Sequence, residues 1–99
     1  MPVRFSVRKV RPDMQLVEFQ IEGGVLDVKE LADAVENAPE VDYTKGVCIS
    51  GRGPIWLHVA LSHKYHPTPF IANYDPRLGG CVVTSTHTRE RRIGEVIEV

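Results

Sequence analysis

Residues 46–77, GVCISGRGPIWLHVALSHKYHPTPFIANYDPR, decide the fold of this chain. The segment opens with Val47, Cys48 and Ile49, a short apolar run ending in Gly51-Arg52-Gly53-Pro54. Such a run stopped by glycines is the pattern of a buried strand entering a tight turn. Pro54 suits the first position of a helix, where its missing N–H costs nothing, and Gly53 suits the cap before it. The helix is expected to run to about Tyr65 and to stop before Pro67, and residues 70–74 read as a second strand. A strand, helix and parallel strand joined this way form a right-handed unit.

That topology distributes the polar groups. The loop 50–53 leaves the carboxyl end of one strand, and Asp75 and Arg77 leave the carboxyl end of its partner. Both therefore belong to one edge of the sheet, the edge where α/β domains usually hold ligands. His66 follows the far end of the helix, about 18 Å away if the helix has twelve residues. The antiparallel return through 81–85 carries Thr86 and His87 to that same far edge. One copy of the chain is thus not expected to bring Arg52 and Asp75 against His66, whereas two copies stacked head to tail would.

Outward from this unit, Val3, Phe5 and Val7 alternate with polar residues. Val17, Phe19 and Ile21 do the same after the turn Arg11-Pro12-Asp13, predicting an antiparallel hairpin. Asp27 and Glu30 form a capping-box pattern before a helix whose buried stripe is expected to be Val28, Leu31, Ala32 and Val35, with Pro39 stopping it. Residues 81–83 return from the turn 75–80, and 95–99 alternate weakly as an edge strand. The second helix is apolar over much of its circumference. Ile55 and Val59 lie on one side, Trp56 and Ala60 on another, with Leu57 and Leu61 between, so a second covering surface such as another subunit is expected. The fold class is α/β: one domain over 1–99, with a mixed sheet of about five to six strands and two main helices.

Ninety-nine residues, 42% hydrophobic and 25% charged, describe an ordinary folded domain. A net charge of −1 argues against bulk attraction to long DNA but leaves room for a local basic pocket. No apolar run suits a signal peptide or a membrane span, so a cytoplasmic protein is expected. Cys48 and Cys81 lack CxxC spacing, and buried reduced thiols are expected of them.

The candidate groups each have a bland reading beside the functional one. Arg52 with the amides of Gly51 to Pro54 forms an anion-binding turn, or only a tight turn with a solvated arginine. His66 is a proton-transfer group, or a cation stabilising a helix C-terminus. Asp75 before Pro76 is a site carboxylate, or an Asx-turn residue paired with Arg77. His58 reads as a satisfied mid-helix residue. Arg89, Arg91 and Arg92 read as a solvated basic segment, and the His63–His66 spacing alone is weak evidence for a metal. The lysine of a Walker loop is missing.

The blocks SGRGPIWLH (50–58), HKYHPTPF (63–70) and YDPRLG (74–79) resemble the small manganese-dependent ring nuclease associated with type III CRISPR systems. The match is dense in the central third of the chain and diffuse at its ends. The resemblance implies a domain distantly related to the CARF and Rossmann-like folds, forming a homodimer. It implies a phosphodiesterase that binds cyclic tetra-adenylate and linearises it, switching off antiviral signalling, with the ring held between dimers stacked head to tail. Carried over by position, it assigns His66, Asp75 and Arg77 to catalysis. Ser50, Gly51, Arg52, Gly53 and Pro54 fall to ligand binding, and Asp75 with His66 to Mn2+. A further family histidine aligns with Thr86, one position before His87, which is taken as the ligand-binding residue. Two other readings stay open: a metal-dependent exonuclease trimming adenosines from RNA 3′ ends, and a non-catalytic cyclic oligoadenylate sensor.

Overall fold

The structure, a computed structural model, describes residues 2–99. Its strands are β1 (Val3–Arg11), β2 (Met14–Ile21), β3 (Gly46–Ser50), β4 (Phe70–Asp75), β5 (Gly80–Thr86) and β6 (Val96–Glu98). The helices are α1 (Leu31–Asn37) and α2 (Ile55–Lys64). The six strands form one sheet in sequence order. β2, β3 and β4 run parallel as neighbours, and the pairs β1–β2, β4–β5 and β5–β6 are antiparallel. The expected strand–helix–strand unit is therefore present, and α2 carries the chain between adjacent parallel strands. No helix among the described residues is long and apolar enough to cross a membrane.

Alternation along the strands sorts side chains onto two faces. Val17, Phe19, Val47, Ile49 and Ile71 face the helices and form the main core with Leu57, Leu61 and Tyr65. Tyr65 is fully enclosed, and its hydroxyl donates to the Pro39 carbonyl at 2.6 Å, tying the end of α2 to the end of α1. Burial pushes this phenol well above its ordinary range. Met14, Leu16, Cys48, Ala72, Cys81 and Val83 form a second cluster on the opposite face. β3 is thus buried on both sides, as an uninterrupted apolar run demands.

The capping box is present, with Lys29 N donating to the Asp27 carboxylate and Asp27 N to Glu30. The turn it caps is a 3-10 turn, Val28–Glu30, so the α-helix begins only at Leu31. This delay rotates the buried stripe. Ala34, Ala38, Leu31 and Val35 pack inward, while Val28 and Ala32 are exposed, contrary to expectation.

Helix α2 also starts one residue late. Pro54 is its N-cap, with φ −66° and ψ 150°, and not its first helical residue. A proline φ fits both helix and extended chain, so ψ makes the difference here. Leu57 and Leu61 are fully buried, whereas Ile55 and Val59 are 78% and 64% exposed. The sheet covers one side of α2 and leaves the other open.

The cysteines depart from expectation most clearly. Cys48 and Cys81 form a disulfide, with Cα atoms 6.1 Å apart. They stand on β3 and β5 with β4 between them, and second-neighbour strands in a flat sheet lie about 9–10 Å apart. Between the pairs Ile71↔Ser85 and Ala72↔Val83 the register skips Thr84, and such an extra residue bends its strand, here β5. The small Ala72 side chain lies in the same buried cluster as the cysteines and leaves room for the bridge.

Candidate functional site

The loop after β3 rests directly on a core aromatic ring. A methyl group on Gly51 would stand 2.6 Å from three atoms of the Phe19 ring, and one on Gly53 would stand 2.8 Å from it. These glycines let the backbone lie against Phe19, which no larger residue allows. His58 then fastens the loop from α2. Its Nε2 donates to the Gly51 carbonyl at 3.0 Å, and its Nδ1 lies 2.8 Å from the Asn73 carboxamide oxygen on β4. The ring also meets Phe19 edge-on at 5.2 Å between centroids. His58 thus bridges β4 and the loop that presents Arg52, and it fixes that loop.

Beside Arg52 opens a cleft of about 720 Å³ that also involves Arg4, Ser6, Glu18 and Gln20. The register Arg4↔Gln20, Ser6↔Glu18 and Glu18↔Ser50 puts these side chains on the sheet face away from the helices. Arg4 donates to Gln20 at 3.1 Å, and Arg8 pairs with Glu18. A cleft of this size is ample for a small ligand. The first-turn amides of α2 and the positive end of its dipole lie at this same sheet edge. Sequence reasoning missed the contribution of β1 and β2. The only signal was the alternation of Arg4, Ser6 and Arg8, which is also how a solvated strand face reads.

Asp75 and Arg77 occupy the same pole, at the carboxyl end of β4. Asp75 accepts from the Arg77 backbone N–H at 2.9 Å in an Asx turn. It also accepts from the guanidinium Nε and Nη2 at 3.3 and 3.2 Å. The Arg77 side chain beside it holds the Asp75 carboxyl below its ordinary range. Asp75 is thus an ionised acceptor, and the Arg77 guanidinium beside it reaches into solvent.

The histidines gather at the opposite pole. His66 follows α2, and His87 follows β5, whose ladder continues through a bond from His87 N to the Pro69 carbonyl at 2.8 Å. The two rings meet with His66 Nδ1 and His87 Nε2 3.4 Å apart, and His63 stacks on His66 at 6.4 Å between centroids. All three are exposed. The Thr86 hydroxyl turns instead to the Thr88 backbone, at 3.0 and 3.1 Å. Of the two neighbours, it is His87 that reaches His66.

Arg91 is no solvated residue. Its Nε and Nη2 grip both Asp13 oxygens at 3.0 Å, it pairs with Glu95, and it lies over the Phe70 ring. This clamp ties the β5–β6 connection to the β1–β2 turn and braces the histidine pole.

The donors expected for Mn2+ do not fit that ion within one chain. His66 and Asp75 stand at opposite ends of β4, and Asp75 is engaged by Arg77. Among the described residues no group of three or more His, Cys, Asp or Glu is gathered for a metal.

One chain therefore holds its candidate residues in two separate groups. Arg52, Arg77 and the cleft lie at one pole, His66 and His87 at the other, about 15 Å apart along the ten-residue α2.

Comparison with known proteins gives this arrangement a family. A protein of Aquifex aeolicus (strain VF5), named only as an uncharacterized protein, is 43% identical over 100 residues, covering 97% of this chain and 87% of its own. The family model described as "CRISPR-associated protein (Cas_csx3)" matches residues 20–98. With β3 to β6, both helices, Arg52, His66, Arg77 and His87 inside that span, the chain belongs to the Cas_csx3 family of CRISPR-associated proteins.

Proposed function

We propose that this protein is a ring nuclease that opens cyclic tetra-adenylate, acting in the cytoplasm as a homodimer whose copies stack head to tail around the ring. The observation that carries this reading is the separation of two complementary half-sites on one sheet. Anion-holding groups at the carboxyl ends of β3 and β4 stand at the pole opposite His66 and His87 of their own chain. A phosphodiester held by Arg52 and Arg77 of one copy would face His66 and His87 of the next.

The reaction needs no nucleophile from the protein. The substrate's 2′-oxygen forms a bond to phosphorus, and the bond from phosphorus to the 5′-oxygen breaks. A 2′,3′-cyclic phosphate and a 5′-hydroxyl result, so one proton leaves the 2′-hydroxyl and one reaches the 5′-oxygen. Arg52 and Arg77 stabilise the charge that grows on the phosphoryl oxygens, and the seated ring supplies in-line geometry. His66 turns its Nδ1 to His87, which leaves Nε2 to exchange a proton with the leaving oxygen. His87 is thus a positioning residue that orients the His66 ring. Any dependence on Mn2+ belongs to the junction between copies, where His66 and Asp75 of different chains would meet.

Incubation with cyclic tri-, tetra- and hexa-adenylate, with and without Mn2+, followed by mass analysis of products, tests the reading. Linear tetra-adenylate or its halves, lost in His66→Ala, are expected. Intact tetra-adenylate ring under all conditions would contradict it, and shortening of linear RNA alone would identify an exonuclease.

A further inference from the structure

The cleft beside Arg52 has a chemistry that the ring-opening proposal does not use. We infer that it is an adenine-reading subsite, in which the Gln20 carboxamide, held by Arg4, pairs with the base while Arg52 takes the adjoining phosphate. The inference rests on the ring-nuclease reading for its biological ligand, though not for its test.

Arg4 donates to Gln20 Oε1 at 3.1 Å and so fixes which way the carboxamide turns. That leaves one Oε1 lone pair and the Nε2 hydrogens, which make no hydrogen bond among the described residues. An acceptor and a donor side by side match the N6 amino group and N7 of adenine, the bidentate pairing that glutamine makes with that base. Hypoxanthine and guanine carry an oxygen in place of the amino group and would set it against Oε1. Glu18 is the one acidic group in the cleft, and its pairing with Arg8 offsets its repulsion of phosphate. Phe5 contributes apolar surface to the same cleft. Arg4, Ser6 and Glu18 lie before residue 20, outside the span that the family model matches. Gln20 itself opens that span, so the hairpin residues before it orient and frame the base reader, while the phosphate and imidazole groups lie deeper in the matched span.

The test is a backbone amide NMR titration of the whole protein with adenosine 5′-monophosphate and, separately, inosine 5′-monophosphate. Shifts are expected at Ser6, Gln20, Gly24 and Arg52, with the adenosine nucleotide bound about tenfold more tightly, a modest share of what a bidentate base contact discriminates. Gln20→Ala, at an exposed position, is expected to remove the preference, whereas Arg52→Ala weakens both nucleotides alike. Equal affinity for the two, preference for inosine, or shifts confined to the histidine pole would each overturn the assignment. No turnover is involved. Binding without cleavage of the cyclic ring would sink the ring-nuclease reading and leave the subsite standing; cleavage with shifts elsewhere would do the reverse.

Discussion

The replacement Gly51→Ala tests whether the loop is built on Phe19 or is merely glycine-rich. The new methyl carbon would stand 2.6 Å from Phe19 ring atoms, about 1 Å inside ordinary carbon contact. The ring has little room to retreat. It is 5% exposed, with His58 at 5.2 Å and Phe5 at 6.5 Å between centroids. Gly51 has no positive φ, so the cost comes from crowding and not from backbone strain. Overpacking of this kind costs about 1–3 kcal/mol. Taking about 2 kcal/mol, and about 4–8 °C per kcal/mol for a domain this small, the melting temperature should fall by about 8–16 °C. Scanning calorimetry without ligand reads this directly. Repeating it in a Phe19→Leu background separates the cause, because a smaller side chain should recover a good part of the loss. A Gly51→Ala protein that melts with the wild type would refute the reasoning. So would an equal loss in both backgrounds.

Reduction of the Cys48–Cys81 bridge, whose partners are 33 residues apart, should cost about 4 kcal/mol in the chain-entropy estimate. A reductant that leaves the urea midpoint unchanged would contradict the bridge, and a Cys48→Ala, Cys81→Ala variant should not respond to reductant at all. The Arg91 hydrogen bonds hold the Asp13 carboxyl below its ordinary value of 3.8. A lowered folded value means the clamp's stability is present in full above 3.8 and is lost as pH falls through the folded value. Urea titrations at neutral and strongly acidic pH should therefore show a smaller acid loss in Asp13→Asn than in the wild type. Asp75 and Glu95 are lowered in the same direction, so part of the loss remains. An identical acid loss in the variant would remove Asp13 from the account.

The sequence made the β3–α2–β4 unit legible because its period changes sharply, from an apolar run to a helical pattern and back. Topology alone then put Asp75 and Arg77 beside the loop, and put His66 and His87 together at the far pole. What stayed hidden depends on contacts between distant segments. Phe19 lies under Gly51 because β2 and β3 are neighbours, which no local pattern around either residue announces. The disulfide joins two strands that are not neighbours, beside a bulge in β5, so spacing alone reads its cysteines as separate thiols. Arg91 reads as one of a basic run until the β1–β2 turn delivers Asp13 to it. The cleft on β1 and β2 escaped notice for a related reason: alternating charge describes a solvated face and a binding face equally well.

The most direct measurement mixes two inactive variants. Arg52→Ala lacks the anion-holding pole and keeps His66, whereas His66→Ala keeps Arg52 and lacks the imidazole. If each site is assembled between copies, about a quarter of the head-to-tail junctions in an equal, randomly assembled mixture are intact. Ring opening should then return to about that share of wild-type activity, measured by product mass at a concentration that permits stacking. A mixture as inactive as its two components would contradict the composite site, as would wild-type turnover by subunits held apart by dilution.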